Sequence, residues 1–283
     1  MPNWTLLVDA NDLAMALDDC IVVDCRHDLM NPEAGRKAYG EGHIPGAYFL
    51  HQDEDLAGPM TGRNGRHPLP DRDALAARLA GLGLTPDTQL VAYDAQGGAL
   101  AGRLWWLARW IGHRPVAVLD GGLPAWKAAG LPVSTDTPAP RAGGRLQASA
   151  EPGMALRTAP QLEANIASRA ELVVDARAPE RFRGEVEPVD PVAGHIPGAI
   201  NRPLQLNLRE DGRYKPAEVL RREFAELLGG RDPATVVHSC GSGVSACQNM
   251  IAMELAGLGG SALYGGSWSE WCSDPARPVA TGD

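Results

Sequence analysis

Cys240 ends a short β-branched run, Thr235-Val236-Val237-His238-Ser239, and opens the segment Gly241-Ser242-Gly243-Val244-Ser245. The run predicts a buried strand over 235–238, and apolar residues at helical spacing predict a helix over 245–257. A strand, a tight loop and a helix in succession point several backbone N–H groups at one spot. Gly241 and Gly243 let that loop curl, because glycine tolerates positive φ. Amides gathered beside a helix N-terminus favour an anion. A cysteine there is placed to act as a thiolate, the nucleophilic form of the side chain. A buried core cysteine is the ordinary fate of this residue type, and the glycine loop directly after Cys240 argues against it.

The elements that position this loop occur twice. Ile21-Val22-Val23-Asp24-Cys25-Arg26 recurs as Leu172-Val173-Val174-Asp175-Ala176-Arg177. Gly42-His43-Ile44-Pro45-Gly46-Ala47 recurs as Gly194-His195-Ile196-Pro197-Gly198-Ala199. Leu90 to Asp94 recurs as Thr235 to Ser239 or Cys240, and Val118-Leu119-Asp120-Gly121-Gly122 as Ala262-Leu263-Tyr264-Gly265-Gly266. A period this long means duplicated domains rather than a solenoid. In the first copy, strands are expected near 21–24, 90–93 and 116–119, with helices near 71–82 and 98–111. In the second, strands are expected near 172–175, 235–238 and 261–264, with helices near 217–228 and 245–257. This alternation predicts an α/β fold: two domains, each a parallel β-sheet flanked by helices on both faces. Ligands of such sheets sit beyond the carboxyl ends of strands, where Cys240 stands.

Domain bounds of 1–133 and 153–283 follow, joined by a Pro-, Ala- and Gly-rich linker over 134–152. A second loop, His51 to Pro68, is long and polar and has no counterpart of equal composition in the second copy. Loops of that length in compact domains are usually functional or disordered. Its Arg63, Arg66 and His67 could meet an anion. The recurrence of His43 and His195 in both copies, one of which lacks the thiol, favours a structural role for them. Trp105, Trp106 and Trp110 lie at helical spacing and read as core.

The 283 residues carry a net charge of -9, which argues against nucleic acid or an anionic membrane as the main partner. Apolar content of 44% and charged content of 22% are ordinary for a globular chain. Five cysteines, odd in number and unevenly spaced, form no disulfide framework and no zinc spacing. Met1 to Ala10 lacks the pattern of a signal peptide, and no apolar stretch is long enough to span a membrane. The expectation is a soluble cytoplasmic protein.

The duplicated Val-Asp-x-Arg and Gly-His-Ile-Pro-Gly-Ala segments, with Cys240 opening its glycine loop, resemble the tandem-domain rhodanese-like sulfurtransferases. The resemblance covers nearly the whole chain. It implies an active site between the domains and a first domain without the catalytic cysteine, in line with Asp94-Ala95 at the equivalent strand end. It implies that Cys240 takes sulfur from a small donor as a persulfide and passes it to cyanide or a thiol, including a thiol protein such as thioredoxin. No metal or organic cofactor is implied. The neutral Cys-Gly-Ser-Gly-Val-Ser loop is similar to that of 3-mercaptopyruvate sulfurtransferases, while thiosulfate-specific members carry arginine and lysine there. Arg181 matches the substrate-binding arginine of both, and the loop residues Gly241, Ser242, Gly243, Val244 and Ser245 would bind the substrate with it. Mercaptopyruvate enzymes usually carry a second arginine nine positions on. Here that position is Asp190, which leaves Arg183 or Arg177 as substitutes, or a weakened preference. His67 and Asp53 match a catalytic His–Asp pair, with Asp55 the alternative aspartate. Two other readings are weighed. A Cys-x5-Arg phosphatase is disfavoured because the arginine position is Ala246. A non-enzymatic sulfur-relay module is disfavoured by the complete loop around Cys240.

Overall fold

The computed structural model describes residues 2–139 and 141–283. Met1, at the head of the segment read for a signal peptide, and Pro140, within the expected linker, lie outside them. The chain forms two compact units. The first comprises Met1–Gly58, Pro70–Gly153 and Leu208–Tyr214; the second comprises Pro59–Leu69, Met154–Asn207 and Lys215–Asp283. Each unit therefore takes one short segment from the other sequence repeat. The segment Pro59–Leu69, which carries Arg66 and His67, belongs to the second.

The first unit runs β1 (Leu7–Val8), α1 (Ala10–Met15), β2 (Cys20–Asp24), α2 (Glu33–Glu41), β3 (Tyr48–Phe49), α3 (Arg72–Ala80), β4 (Gln89–Tyr93), α4 (Ala101–Trp110), β5 (Val116–Leu119) and α5 (Gly122–Ala128). Its sheet order is β1-β5-β4-β2-β3, and every pairing is parallel. The second unit repeats the plan. It runs β6 (Leu156–Arg157), α6 (Ala159–Ser168), β7 (Leu172–Asp175), α7 (Pro179–Phe182), β8 (Ile200–Asn201), α8 (Ala217–Leu228), β9 (Val236–Ser239), α9 (Ala246–Leu255), β10 (Ala262–Tyr264) and α10 (Ser267–Trp271). Its order is β6-β10-β9-β7-β8, again parallel throughout.

The central strands are buried along their whole length and largely apolar because both faces are covered. Val22, Val91, Tyr93, Ala117 and Leu119 pack with Leu13, Leu123 and Trp126 on one face of the first sheet. Their neighbours Ile21, Val23, Leu90, Ala92, Val116 and Val118 alternate to the other face and are buried as well. Each such valine, leucine or isoleucine contributes about 1.5–3 kcal/mol relative to exposure. Trp105 and Trp106 are fully buried on α4, so this tryptophan cluster is core. In the second unit Val173, Val237, Ala262 and Tyr264 pack with Trp268 and Trp271.

The repeated motifs hold the same joints in both units. Arg26 binds Asp24 and donates from Nη2 to the Gly42 carbonyl at 2.8 Å; Arg177 binds Asp175 and donates to the Gly194 carbonyl at 2.7 Å. The strand end is thereby tied to the Gly-His-x-x-Gly turn. His43 stacks on Tyr39 and bonds its carbonyl, and His195 stacks on Phe182 and bonds its carbonyl. Both histidines are structural parts of the turn.

Candidate active site

Strand register decides which residue of the first repeat corresponds to Cys240. Asp24 pairs with Tyr93, and its counterpart Asp175 pairs with Ser239. The residue following each is therefore Asp94 or Cys240. The two loops satisfy their amides differently. Asp94 Oδ1 accepts from Gln96 N at 2.8 Å and Gly98 N at 3.0 Å, and Oδ2 accepts from Leu100 N at 2.8 Å and Ala101 N at 2.9 Å. A side-chain anion thus fills the first loop and caps α4. In the second loop, the N–H groups of Ser242, Val244 and Ser245 have no acceptor among the described residues, and Ser245, the N-cap of α9, makes no side-chain capping bond. Such a loop retains donors for an outside anion.

The Cys240 loop is anchored from behind by α10. Cys240 N donates to Ser267 Oγ at 3.1 Å, Trp268 N to the Cys240 carbonyl at 3.0 Å, and Ser269 N to the Gly241 carbonyl at 2.8 Å. Cys240 itself is buried. Gly243 has φ 75°, and a Cβ there would come within 2.1 Å of the Gly265 carbonyl oxygen, so this position admits only glycine. Cys247 is buried in the first turn of α9, with its Sγ directed to the Gly243 carbonyl at 3.6 Å.

The segment Pro59–Leu69 brings two side chains to this loop. Gly65, at φ 83°, lies close to Gly266, and Arg66 N donates to Ser269 Oγ at 3.1 Å. His67 is buried, and its Nδ1 lies 2.7 Å from Ser242 Oγ. A Cβ on Gly241 would stand 2.9 Å from Arg66 Nη2 and 3.8 and 3.9 Å from the two terminal nitrogens of Arg181. Two guanidinium groups therefore border the residue after Cys240.

Asp190 links these arginines. Its Oδ1 pairs with Arg66 Nη1, and its Oδ2 accepts from Arg181 Nη2 at 3.3 Å. Arg181 also donates to Glu187 Oε1 at 2.6 Å. Burial pushes the Asp190 carboxyl upward, opposed by the Arg66 charge. Glu187 lies below the usual carboxylate range: burial alone would raise it, but Arg181 and the amides of Asp190 and Val189 outweigh that.

Arg183, Arg177 and Asp55 have carboxylate, guanidinium or backbone partners of their own. Arg183 is held by Glu185 at 2.8 and 2.9 Å. Arg177 is buried between Asp175 and Glu187, over the Trp268 ring. Asp53 belongs to the first unit, with Oδ1 4.0 Å from His27 Nε2. Asp55 accepts from His51 N at 2.7 Å and from Arg78 Nε at 2.7 Å, so its carboxylate serves the loop's own structure. Arg66 carried only a weak signal in the sequence, as a cation in a long loop, and its link to Asp190 carried none.

Fold and site define a duplicated parallel α/β protein with a cysteine at the head of an amide-rich loop. A rhodanese-like domain model matches residues 9–129 and again 158–274, and the chain belongs to that family. It is 48% identical over 281 residues to a Pseudomonas aeruginosa protein named as a probable 3-mercaptopyruvate sulfurtransferase, covering 98% of each chain. It is 36% identical over 241 residues to a chicken (Gallus gallus) thiosulfate sulfurtransferase, covering 83% of this chain and 80% of that protein. The solved 3-mercaptopyruvate sulfurtransferase of Leishmania major superposes with a TM-score of 0.81 at 29% identity, over 96% of this chain and 75% of that one. Among the described residues, no helix is long and apolar enough to cross a membrane.

Proposed function

We propose that this protein is a sulfurtransferase that takes sulfur from 3-mercaptopyruvate through a persulfide on Cys240. The observation that carries the reading is the loop itself: its head residue is a thiol where the first repeat has a carboxylate, and its Ser242, Val244 and Ser245 amides have no acceptor among the described residues. The catalytic domain is the C-terminal repeat, 153–283, supplemented by Pro59–Leu69, with 1–133 as the partner domain and 134–152 as the linker.

The Cys240 thiolate attacks the donor's thiol sulfur. A sulfur–sulfur bond forms as the carbon–sulfur bond breaks, and the bonding pair leaves with the carbon as the enolate of pyruvate. That carbon must gain one proton. His67, hydrogen-bonded to Ser242, is the group suited to deliver it. The resemblance assigns Asp53 to the same proton step. Arg181 binds the donor carboxylate with the geometry a guanidinium provides. The amides of Gly241, Ser242, Gly243, Val244 and Ser245 hold the sulfur-borne charge. In the second half, a thiolate or cyanide attacks the outer sulfur and Cys240 leaves as thiolate, so the enzyme is regenerated without net change. Small thiols, cyanide and a thiol protein such as thioredoxin share the required acceptor chemistry. All five cysteines are free and buried, which suits a reducing compartment such as the cytoplasm.

Thiosulfate as donor is the second reading, favoured by the thiosulfate-named relative. Sulfur transfer to cyanide, compared for the two donors with the native protein and Cys240→Ser, tests both. Faster turnover with mercaptopyruvate, abolished in the variant, is expected. Faster turnover with thiosulfate would favour the second reading, and transfer surviving Cys240→Ser would overturn the mechanism.

A further inference from the structure

The second guanidinium beside Gly241 comes from a segment far away in sequence, and its placement depends on a carboxylate. Arg66 Nη1 pairs with Asp190 Oδ1, while the other oxygen of Asp190 holds Arg181. The Arg66 backbone is fixed independently by Ser269 Oγ. The Arg66 Nε, by contrast, is buried and has no acceptor among the described residues. A buried donor without a partner is costly, and a bound anion would relieve it. Asp190 is buried together with Glu187, so water screens their charges little.

The charges around the loop then balance. Arg66 and Arg181 contribute two positive charges, and Asp190 and Glu187 two negative ones. Arg177 and Asp175 cancel behind them. The loop from Gly241 to Ser245 is neutral. Such a site offers shaped donors without excess positive charge. A monoanion is accommodated by hydrogen bonds, whereas a dianion brings a second charge that nothing offsets.

We infer that Arg66 is the second anion-binding residue of the donor site, and that Asp190 positions it against Arg181 and sets the site's charge, so that a monoanionic carboxylate is selected over a dianion. This rests on the proposed donor site at Cys240 but not on its turnover. Removing the Asp190 charge adds one positive charge beside the ligand and favours the dianion. Removing the Arg66 charge does the opposite, weakening both ligands and the dianion more.

The test is equilibrium binding by calorimetry to the full chain carrying Cys240→Ser, with pyruvate as monoanion and sulfate as dianion. The background protein should bind pyruvate more tightly than sulfate. Adding Asp190→Asn should move the ratio of affinities toward sulfate by about tenfold, and Asp190→Glu should restore it. Adding Arg66→Gln should lower pyruvate affinity by about tenfold and move the ratio the other way. A merely structural Asp190 would weaken both ligands equally and leave the ratio unchanged, which would overturn the inference. Retention of full pyruvate affinity in Arg66→Gln would overturn it too. If one variant fails to fold, the opposite shift in the other decides. Turnover of mercaptopyruvate by the native protein is measured separately: its absence would sink the proposed reaction, while the binding ratios judge the clamp.

Discussion

Arg66 and Asp190 form an ion pair across 124 residues of sequence. The pair joins a loop of the first repeat to the loop that follows α7 in the second, and both belong to one compact unit. It puts a guanidinium beside Gly241. Position and charge are thus supplied by two residues that neither repeat contains in the other.

Arg181 should be sensitive even to a conservative change. Its Nε and Nη2 both donate to Glu187, and Nη2 donates to Asp190 as well, while the guanidinium faces Gly241. Lysine offers a point charge without that fork. Arg181→Lys should lower kcat/KM for mercaptopyruvate by about tenfold or more, mostly through KM, in steady-state assays. Native kinetics in this variant would remove Arg181 from the donor site.

Gly243 tests the loop's shape. Alanine there meets both a positive φ and the Gly265 carbonyl. Gly243→Ala should destabilise the protein by about 1–3 kcal/mol in urea unfolding and depress turnover further than stability explains. A variant as stable and active as the native protein would contradict the loop geometry.

Asp94 tests the contrast between the repeats. Asp94→Ala strips four amides of their acceptor and removes the cap of α4. A loss of about 3 kcal/mol is expected, with kcat of the folded fraction within about twofold of native. Thermal melting and titrated active-site assays separate the two. A stable variant with lost turnover would place Asp94 in the chemistry instead.

Two buried histidines should govern acid stability. Burial lowers His238 from 6.5 to about 3 and His113 from 6.5 to about 4. Between those values and 6.5 the unfolded chain binds protons that the folded chain refuses. Stability is therefore complete above about pH 6.5 and falls as pH drops, by about 1.4 kcal/mol per pH unit for each histidine. His238→Gln should flatten the slope by one proton when unfolding is compared between about pH 7 and about pH 5. An unchanged slope would mean that His238 is protonated in the folded state.

The repeat was legible because each central strand is buried on both faces and reads as an apolar run. Expected strands at 172–175 and 116–119 match β7 and β5, and the expected helix at 217–228 matches α8. The edge strands β1, β3, β6 and β8 have two residues each, too few for any periodicity to show. Cys240 and its loop stood out because a thiol followed by spaced glycines is a local pattern. The Arg66–Asp190 pair left no local trace, since only folding brings the two together. For the same reason the sequence showed that the first repeat lacks a thiol at Asp94, but not that the carboxylate takes over the loop's amides.

On the proposed mechanism, Cys240 carries the transferred sulfur. Intact-protein and peptide mass spectrometry, after exposure to mercaptopyruvate without acceptor, measures this directly. A gain of one sulfur atom on the Cys240 peptide is expected, removed by added cyanide and absent in Cys240→Ser. A sulfur gain on another cysteine, or one that persists in Cys240→Ser, would contradict it.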